Sequence, residues 1–388
     1  MAGLIFPWRA GNQFELLIDG PAFFEDWLAR VEQAREQIDI ELYLVRSGES
    51  TDRVETALLA AVGRGVKVRC LFDGFGSRHF SKQQRQIWQE AGIEIRFYNP
   101  LRWTVGLQNF YRDHRKLLMV DQQVAYVGGA GLTDYFWQPG AEHSQWHEVM
   151  VRVEGPVVDD WQVLFDYQWD SCLERFFWQQ NNSPEQAAKR ETPPLPFAHI
   201  GKARVAYAAS TQNRDIQKSL LRIIKGAHQT VWLATPYFLP TWAVRRALRK
   251  AAVRGVDVRL LLTGRNTDLP AVRWAGQRYY PALLRKGVRI FEYQPRFLHL
   301  KMVMVDGWTS IGSCNFDHWN LRFNLENNLE ARDAGLLEQV RSSFEDDFQD
   351  SLEITEEIWQ QRPLSQRFRQ RLWGWLDRLA INFLDKRR

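Results

Sequence analysis

The sequence predicts an α/β protein built from two similar halves in tandem, each on a parallel or mixed sheet. Three observations support this fold class. A His-x-Lys pattern, with Asp five residues after the Lys, occurs at His114 and again at His299. Longer segments also recur, and in both copies alanine-rich helical patterns alternate with β-branched runs, as in α/β units. The doubled pattern predicts one active site assembled from two halves.

The predicted elements follow the same order in each half. A helical run and an apolar strand come first, at Glu55–Ala61 and Val66–Phe72, and at Val244–Val253 and Val256–Leu262. A further repeated strand ends in an X-Pro turn, Asn99-Pro100 or Gln294-Pro295. The strand led by the pattern follows, and side-chain alternation along it places His and Lys on one face. Glycine-led turns close the series, Gly128–Gly131 and Gly312–Asn315.

The seam between the halves is visible in the composition. Residues 179–196 are polar and proline-rich, which is typical of a surface linker. We predict an N-terminal half at 1–178, a linker at 179–199, a C-terminal half at 200–355 and a basic amphipathic helical tail at 356–388.

Composition favours an anionic partner. The formal charge of +5 and the pI of about 9.1 suit lipid headgroups and nucleic acid alike. The 17 Trp favour a lipid interface, although packing is the ordinary role of any one of them. Three scattered Cys indicate a reducing compartment. No stretch approaches the roughly 18 apolar residues that span a bilayer, and the N-terminal apolar run is too short for a signal peptide. We expect a cytosolic protein with peripheral membrane contact.

Two segments are candidates for that contact. The first half has ten extra residues before His114, an apolar and aromatic insert that includes Trp103 and Phe110. The tail repeats apolar residues at three- and four-residue intervals, with Trp373 and Trp375 among them, and carries Arg mostly off that stripe. Such a helix is typical of a membrane interface. The alternatives are an ordinary packed loop for the insert, and packing against the chain's own domain or a dimer partner for the tail.

The repeated residues fit phosphodiester chemistry. Histidine near neutrality serves as a nucleophile or as an acid, so one His attacks phosphorus while the other protonates the leaving oxygen. Lys116 and Lys301 neutralise phosphoryl oxygens. Backbone N–H groups of the glycine turns, including Gly129, add hydrogen bonds, as do the side chains of Ser313 and Asn315. Glu326 and its counterpart Glu148 are candidates to hold a histidine tautomer. We interpret the other six histidines as structural, and Lys beside each His disfavours a metal site.

These motifs resemble those of the phospholipase D superfamily, and the resemblance covers nearly the whole chain. Within it the sequence is similar to bacterial cardiolipin synthases of the B type, on the stretches Leu71–Ser77, His114–Asp121, Val153–Val157 and Gly312–Asp317. The resemblance implies two α/β halves related by a pseudo-twofold axis, no metal and no other cofactor. It also implies that His114 is the nucleophile and His299 the acid/base. Asp121 and Asp306 complete the motif's catalytic set, as residues that support the site rather than react.

The sequence departs from the family pattern in both turns. Gly129 and Gly131 stand where Ser and Asn are usual, so the first turn offers only backbone groups. After Asp317, His318-Trp319-Asn320 replaces the usual Arg-Ser.

The resemblance implies transfer between two phosphatidylglycerol molecules, yielding cardiolipin and glycerol. A hydrolase that releases phosphatidic acid is the main alternative, and a nuclease is a further one that the aromatic insert and tail disfavour. The expected partners are therefore the anionic phospholipids phosphatidylglycerol and cardiolipin. The expected location is the cytoplasmic face of a bacterial inner membrane.

Overall fold

A computed structural model of the chain describes residues 5–137, 145–172, 201–209 and 213–385. The first half contains a 3₁₀ segment, Trp103–Phe110, and the following elements: β1 (Arg9–Ile18), α1 (Asp19–Gln33), β2 (Gln37–Leu42), α2 (Glu49–Gly63), β3 (Lys67–Asp73), α3 (Lys82–Glu90), β4 (Glu94–Tyr98), β5 (Arg112–Asp113), β6 (Lys116–Val120), β7 (Val124–Gly128), β8 (Val149–Glu154) and α4 (Val157–Ser171). The predicted linker, residues 179–199, lies outside the described residues, so the domain boundaries remain a prediction.

The second half repeats this order and adds elements at its end: β9 (Gly201–Ala209), β10 (Asn213–Arg214), α5 (Asp215–Gly226), β11 (Thr230–Thr235), α6 (Trp242–Val253), β12 (Asp257–Thr263), α7 (Pro270–Gln277), α8 (Tyr280–Leu284), β13 (Arg289–Tyr293), β14 (Met302–Val305), β15 (Trp308–Gly312), α9 (Asn320–Phe323), β16 (Asn324–Arg332), α10 (Ala334–Gln349), β17 (Ser351–Glu353), α11 (Glu356–Gln361) and α12 (Leu364–Asp385).

Each half contains a mixed sheet, as predicted. In the first half the strand order is β4–β3–β2–β6–β7–β8–β1, with β2, β3 and β4 parallel and the other neighbours antiparallel. The second half has the equivalent order β13–β12–β11–β14–β15–β16–β9, with β17 added beside β13. The predicted fold class, two similar α/β halves, is therefore confirmed.

The two sheets meet at equivalent strands. The first residues of β1 pair antiparallel with β9, at Arg9 with Ala203 and Asn12 with Gly201. Because β1 and β9 hold the same position in their sheets, this pairing relates the halves by a pseudo-twofold axis between the two strands.

Apolar side chains form three layers. A central layer contains residues from both halves and lies between the sheets, while α1 to α3 cover the outer face of one sheet and α5, α6 and α8 cover the other. On β6, Leu117 and Met119 enter the central layer and Leu118 and Val120 the outer one. This alternation points the side chain of Lys116 toward the outer layer and that of Arg115 toward the central layer.

The described residues contain no helix that is both long enough and apolar enough to cross a membrane.

Candidate active site

The segment before each motif histidine is bound to the opposite half. β5 pairs in parallel with the first residues of β16, and Leu298 forms the matching bridge to His147. The His114 N–H donates to the carbonyl of Leu325 at 3.0 Å, and the His299 N–H donates to the carbonyl of His147 at 2.8 Å. The two histidines are thus brought together by backbone hydrogen bonds between the halves.

A glutamate from the opposite half holds each imidazole. His114 Nδ1 lies 3.0 Å from Glu326 Oε1, and His299 Nδ1 lies 2.5 Å from Glu148 Oε2. Both carboxylates are buried. A carboxylate at Nδ1 favours the tautomer that carries its proton there, which leaves the lone pair on Nε2. In His299, Lys301 Nζ lies 3.1 Å from Nε2. Each predicted glutamate therefore contacts the motif histidine of the opposite half.

The glycine turns accommodate these glutamates differently. Ser313 Oγ donates to Glu326 Oε2 at 2.5 Å and accepts from the Asn327 N–H at 3.0 Å. A Cβ at Gly129, the equivalent position, would lie 2.2 Å from Glu148 Oε2. One half therefore binds its glutamate with a hydroxyl, and the other leaves space for it. In this geometry Ser313 donates its proton to Glu326, and its role toward phosphate stays a prediction.

The rest of each turn is closely packed. A Cβ at Gly131 would lie 2.6 Å from the Leu44 carbonyl oxygen, so this position has no room for the Asn that the family pattern has there. Asn315 is buried, its carbonyl accepts from Thr235 Oγ1 at 2.9 Å, and its Oδ1 has no hydrogen-bond partner among the described residues. Its role toward phosphate remains a prediction.

The two lysines line the same site as the histidines. Lys116 Nζ lies 2.5 Å from the His114 carbonyl and 5.3 Å from the centre of the Tyr43 ring. Lys301 Nζ lies 2.9 Å from His299 Nδ1 and 3.5 Å from Glu148. Burial lowers the pKa of Lys116 to about 7, and the charge of Lys301 adds to this while Glu326 opposes it. Burial also lowers the pKa of Lys301. Negative charge placed beside these lysines, such as that of a phosphate, favours the ammonium form and raises the pKa.

The pKa values of both histidines favour the neutral imidazole near pH 7. Burial, with the charge of Lys301 added, lowers the pKa of His299 to about 3. Burial also lowers the pKa of His114, although Glu326 opposes the shift. A neutral imidazole can act as a nucleophile or a base, whereas an imidazole that acts as an acid needs negative charge nearby to raise its pKa.

The motif aspartates do not join this cluster. Asp121 accepts hydrogen bonds from the backbone N–H groups of residues 35–37, and Asp306 accepts them from residues 228–230. Each lies beyond the end of its strand, opposite the histidine, in a left-handed conformation with φ of 51° and 48°. They support the start of β2 and of β11, as expected of residues that support the site rather than react.

Aromatic rings that we did not predict surround the histidines. Tyr43 packs on His114 with ring centres 4.9 Å apart, while Trp146, Phe136 and Phe297 lie 5.0, 5.4 and 5.7 Å from His299. Trp146 and Phe297 each lie two residues before a predicted site residue, Glu148 and His299. Strand-like alternation was therefore a usable signal.

A buried ionic cluster lies beneath His114 in the first half alone. Arg115 contacts Glu41 at 3.3 Å, and Asp113 is buried beside them. Burial and mutual repulsion raise the pKa of Glu41, and burial raises that of Asp113. The equivalent positions in the second half are the apolar residues Ala234, Leu298 and Leu300. The two histidines therefore have different surroundings, buried charged residues in the first half and apolar residues in the second.

The membrane-contact candidates differ in exposure. Trp103 is fully exposed at 104%, Phe110 is 57% exposed and Trp375 is 55% exposed, whereas Trp373 is half-buried. Because its ring is partly covered, Trp373 is a weaker candidate than the sequence predicted.

The insert and α12 belong to one face of the molecule. Phe110 packs on Phe323 at 5.9 Å, Phe323 on Trp319 at 6.1 Å, and Trp319 Nε1 donates to Asp377 on α12 at 3.3 Å. Asp377 also pairs with Arg278 and His318. The departure at His318-Trp319 therefore has a structural consequence, since both residues bind the terminal helix through its polar side.

The fold and this doubled site define a phospholipase D-like enzyme. The sequence model of the family described as "Cardiolipin synthase, PLD-like domain" matches residues 28–169 and 220–348. The chain belongs to this family.

Two relatives agree with this assignment. Cardiolipin synthase A of Pseudomonas putida (strain GB-1) is 33% identical over 359 residues, which cover 90% of this chain and 71% of the relative. Cardiolipin synthase 1 of Bacillus cereus is 31% identical, covering 91% and 70%. The finer B-type assignment stays a prediction.

Solved structures share the fold. A phosphatidylserine synthase from Haemophilus influenzae Rd KW20 superposes with a TM-score of 0.74 at 13% identity, covering 96% of this chain and 95% of that one. A polyphosphate kinase from Porphyromonas gingivalis gives 0.59 at 14% identity, covering 94% and 53%.

Proposed function

We propose that this chain transfers a phosphatidyl group between two phosphatidylglycerol molecules, forming cardiolipin and glycerol through a phosphohistidine. The crossed pairing of each motif histidine with a buried glutamate of the other half carries the proposal. Its relatives are named cardiolipin synthases, which supports the choice of substrate.

The first step forms the covalent intermediate. Nε2 of neutral His114 attacks phosphorus, and the bond from phosphorus to the glycerol oxygen breaks. His299, protonated once the phosphate has entered, gives its proton to that oxygen, and glycerol leaves. Glu326 and Glu148 hold the two rings for in-line transfer.

The second step uses the same groups in reverse. His299 removes the proton from a hydroxyl of a second phosphatidylglycerol, whose oxygen attacks phosphorus. The bond from phosphorus to His114 breaks, and cardiolipin is released. Lys116 and Lys301 stabilise the charge on the phosphoryl oxygens in both steps.

One incubation tests the proposal. Purified chain is mixed with phosphatidylglycerol vesicles, and the lipids are separated. Cardiolipin with equimolar glycerol is expected. Phosphatidic acid without cardiolipin would replace the transferase with a hydrolase, and cleavage of DNA with untouched lipid would replace it with a nuclease. His114→Ala and His299→Ala are each expected to abolish turnover while the protein stays folded.

The enzyme's proposed place is the surface of an anionic membrane, on the cytoplasmic face of the bacterial inner membrane. Exposed apolar side chains of α12 recur along one stripe, at Leu364, Phe368, Leu372, Trp375 and Leu379. The polar side of the same helix faces the protein, so packing and membrane contact use opposite faces of α12. Trp103 and Phe110 extend the apolar surface on the same face of the molecule.

A further inference from the structure

A tyrosine–carboxylate pair lies on the second-half side of the site. Tyr237 OH donates to Asp268 Oδ2 at 2.7 Å. The Tyr237 ring packs on Phe297 at 6.3 Å, and Phe297 packs on His299 at 5.7 Å. Asp268 is exposed, and its charge acts on buried Lys301. A solvent-facing carboxylate therefore stands beside the His299 half-site.

The loop that carries Asp268 is held against the segment leading to His299. Asn266 Nδ2 donates to the carbonyls of Gln294 and Pro295 at 2.9 and 3.3 Å. A Cβ at Gly264, where the loop begins, would lie 2.0 Å from the Tyr293 carbonyl oxygen. These anchors fix Asp268 relative to the catalytic histidine, as binding of a specific ligand requires.

The position of the first half that matches Asp268 has the opposite charge. Arg78 is the exposed charged residue four positions after Gly74, as Asp268 is four after Gly264. The charge of Arg78 acts on Tyr43, which packs on His114. At this equivalent position the charge is thus cationic beside His114 and anionic beside His299, while Arg265 is a second exposed charge of the loop that carries Asp268.

A carboxylate at the rim of a phosphate site restricts which ligands can bind beside it. It repels phosphate, so it does not serve the phosphoryl group that Lys116 and Lys301 hold. A carboxylate has about four acceptor positions; Tyr237 fills one, and the backbone N–H groups of Asp268 and Leu269 also act on this carboxylate. Neutral ligands with adjacent hydroxyl groups can donate hydrogen bonds to the remaining acceptor positions.

We propose that Asp268, held by Tyr237, binds the hydroxyls of the glycerol headgroup beside His299. This deepens, and rests on, the phosphatidyl transfer proposed above. His299 protonates the leaving glycerol and activates the incoming one, so both glycerols occupy this side of the phosphorus. Asp268 is therefore a specificity residue for polyol acceptors, and Tyr237 is a positioning residue.

A competition experiment tests this. The chain reacts with phosphatidylglycerol vesicles in buffer containing radiolabelled glycerol and 1-propanol together, and the ratio of labelled phosphatidylglycerol to phosphatidylpropanol is measured. This ratio depends only on how the intermediate divides between acceptors. Asp268→Asn is expected to lower it roughly tenfold, because hydrogen bonds to a charged carboxylate are replaced by weaker ones to a neutral amide. Tyr237→Phe is expected to lower it less.

Controls separate this proposal from its basis. Glu338→Gln, which removes an exposed carboxylate of α10, is expected to leave the ratio and the rate unchanged. An unchanged ratio in Asp268→Asn overturns the proposal, even if total transfer falls, because the residue then acts only through Lys301 or the loop. Absence of any transfer product with the unaltered chain overturns the proposed function, and this proposal with it.

Discussion

At the scale of single residues, the chemistry depends on charges that are buried and paired across the halves. Each imidazole meets a carboxylate that its own half does not supply. Gly129 and Ser313 show why the equivalent turns differ in sequence yet hold the same group. One makes room for Glu148 and the other donates to Glu326.

Replacing either glutamate is expected to slow cardiolipin formation. Glu148→Gln and Glu326→Gln keep the size of the side chain but lose the charge that orients the imidazole and stabilises its protonated form. We expect the rate to fall by about 10- to 100-fold, as for other outer residues that hold a histidine. Ser313→Ala serves as a milder variant with a smaller loss. Near-normal rates in both glutamine variants, with folding verified by circular dichroism, would refute the orienting role.

The pH dependence of the free enzyme is expected to report Lys116. Burial lowers its pKa to about 7, so the ammonium group loses its proton as pH rises through that value, and phosphate binding weakens. The alkaline limb of kcat/KM is therefore expected near pH 7. In the pH profile of kcat the alkaline limb is expected at a higher pH, because bound phosphate stabilises the ammonium group. Lys116→Arg stays charged and is expected to lose this limb. A kcat/KM that stays flat from pH 6 to 9 would contradict this.

At the scale of elements, the two faces of α12 differ: its polar face binds the rest of the protein, and its apolar face is exposed. Asp377 and Gln370 bind Arg278 and Gln277, while the apolar stripe faces outward. A helix that packed in the usual way would show the reverse pattern. The insert Trp103–Phe110 adds exposed rings beside it through Phe323.

Removing rings from this face is expected to weaken membrane binding. The double variant Phe368→Ser/Trp375→Ser removes two exposed apolar side chains, and burial of each is worth roughly 2 kcal/mol. We expect sedimentation with phosphatidylglycerol vesicles to fall by at least tenfold in partition coefficient. Val253→Ser is the matched control, since Val253 is equally exposed at the far end of α6. Equal loss in control and double variant would assign the effect to general surface polarity.

At the scale of the whole molecule, the halves are joined by a buried ionic cluster as well as by strands. His147 lies between Asp19 and Asp347, each 2.9 Å away, and Arg296 of the second half pairs with Asp19. Although burial opposes it, Asp347 and Asp19 raise the pKa of His147 to about 10. The sequence led us to interpret His147 as structural, and this contact between the halves agrees with that.

This cluster predicts how stability changes with pH. Because the pKa of His147 is raised on folding, its contribution is complete below the unfolded value of about 6.5. The contribution is lost as pH rises toward 10. We expect the free energy of unfolding in urea to decline over this window more steeply in the unaltered chain than in His147→Gln. Parallel slopes for the two proteins would show that the histidine is not the linked group.

Features that depend on residues close together in the sequence could be predicted, whereas contacts between distant residues could not. The strands, the helices and the doubled His-x-Lys are local patterns. The predicted strands Val66–Phe72 and Val256–Leu262 lie within one residue of β3 and β12, whereas α2 begins six residues before the predicted run Glu55–Ala61. The crossed glutamates were named as candidates, but their partners depend on contacts between residues 151 and 212 positions apart. Asp121 and Asp306 belong to the motif by spacing alone, and only the fold shows them at the far end of the strand. The pair Tyr237–Asp268 lies on loops without periodicity.

The central claim is one site in which His114 attacks and His299 moves the proton. Phosphatidyl-4-nitrophenol tests it most directly, because its leaving group departs without an acid. The His299→Ala enzyme is mixed with this lipid, quenched and analysed by peptide mass spectrometry. The account predicts one equivalent of nitrophenol and a phosphatidyl adduct on the peptide containing His114, with none in His114→Ala. An adduct that forms on His299 in His114→Ala, or no adduct in His299→Ala, would contradict it.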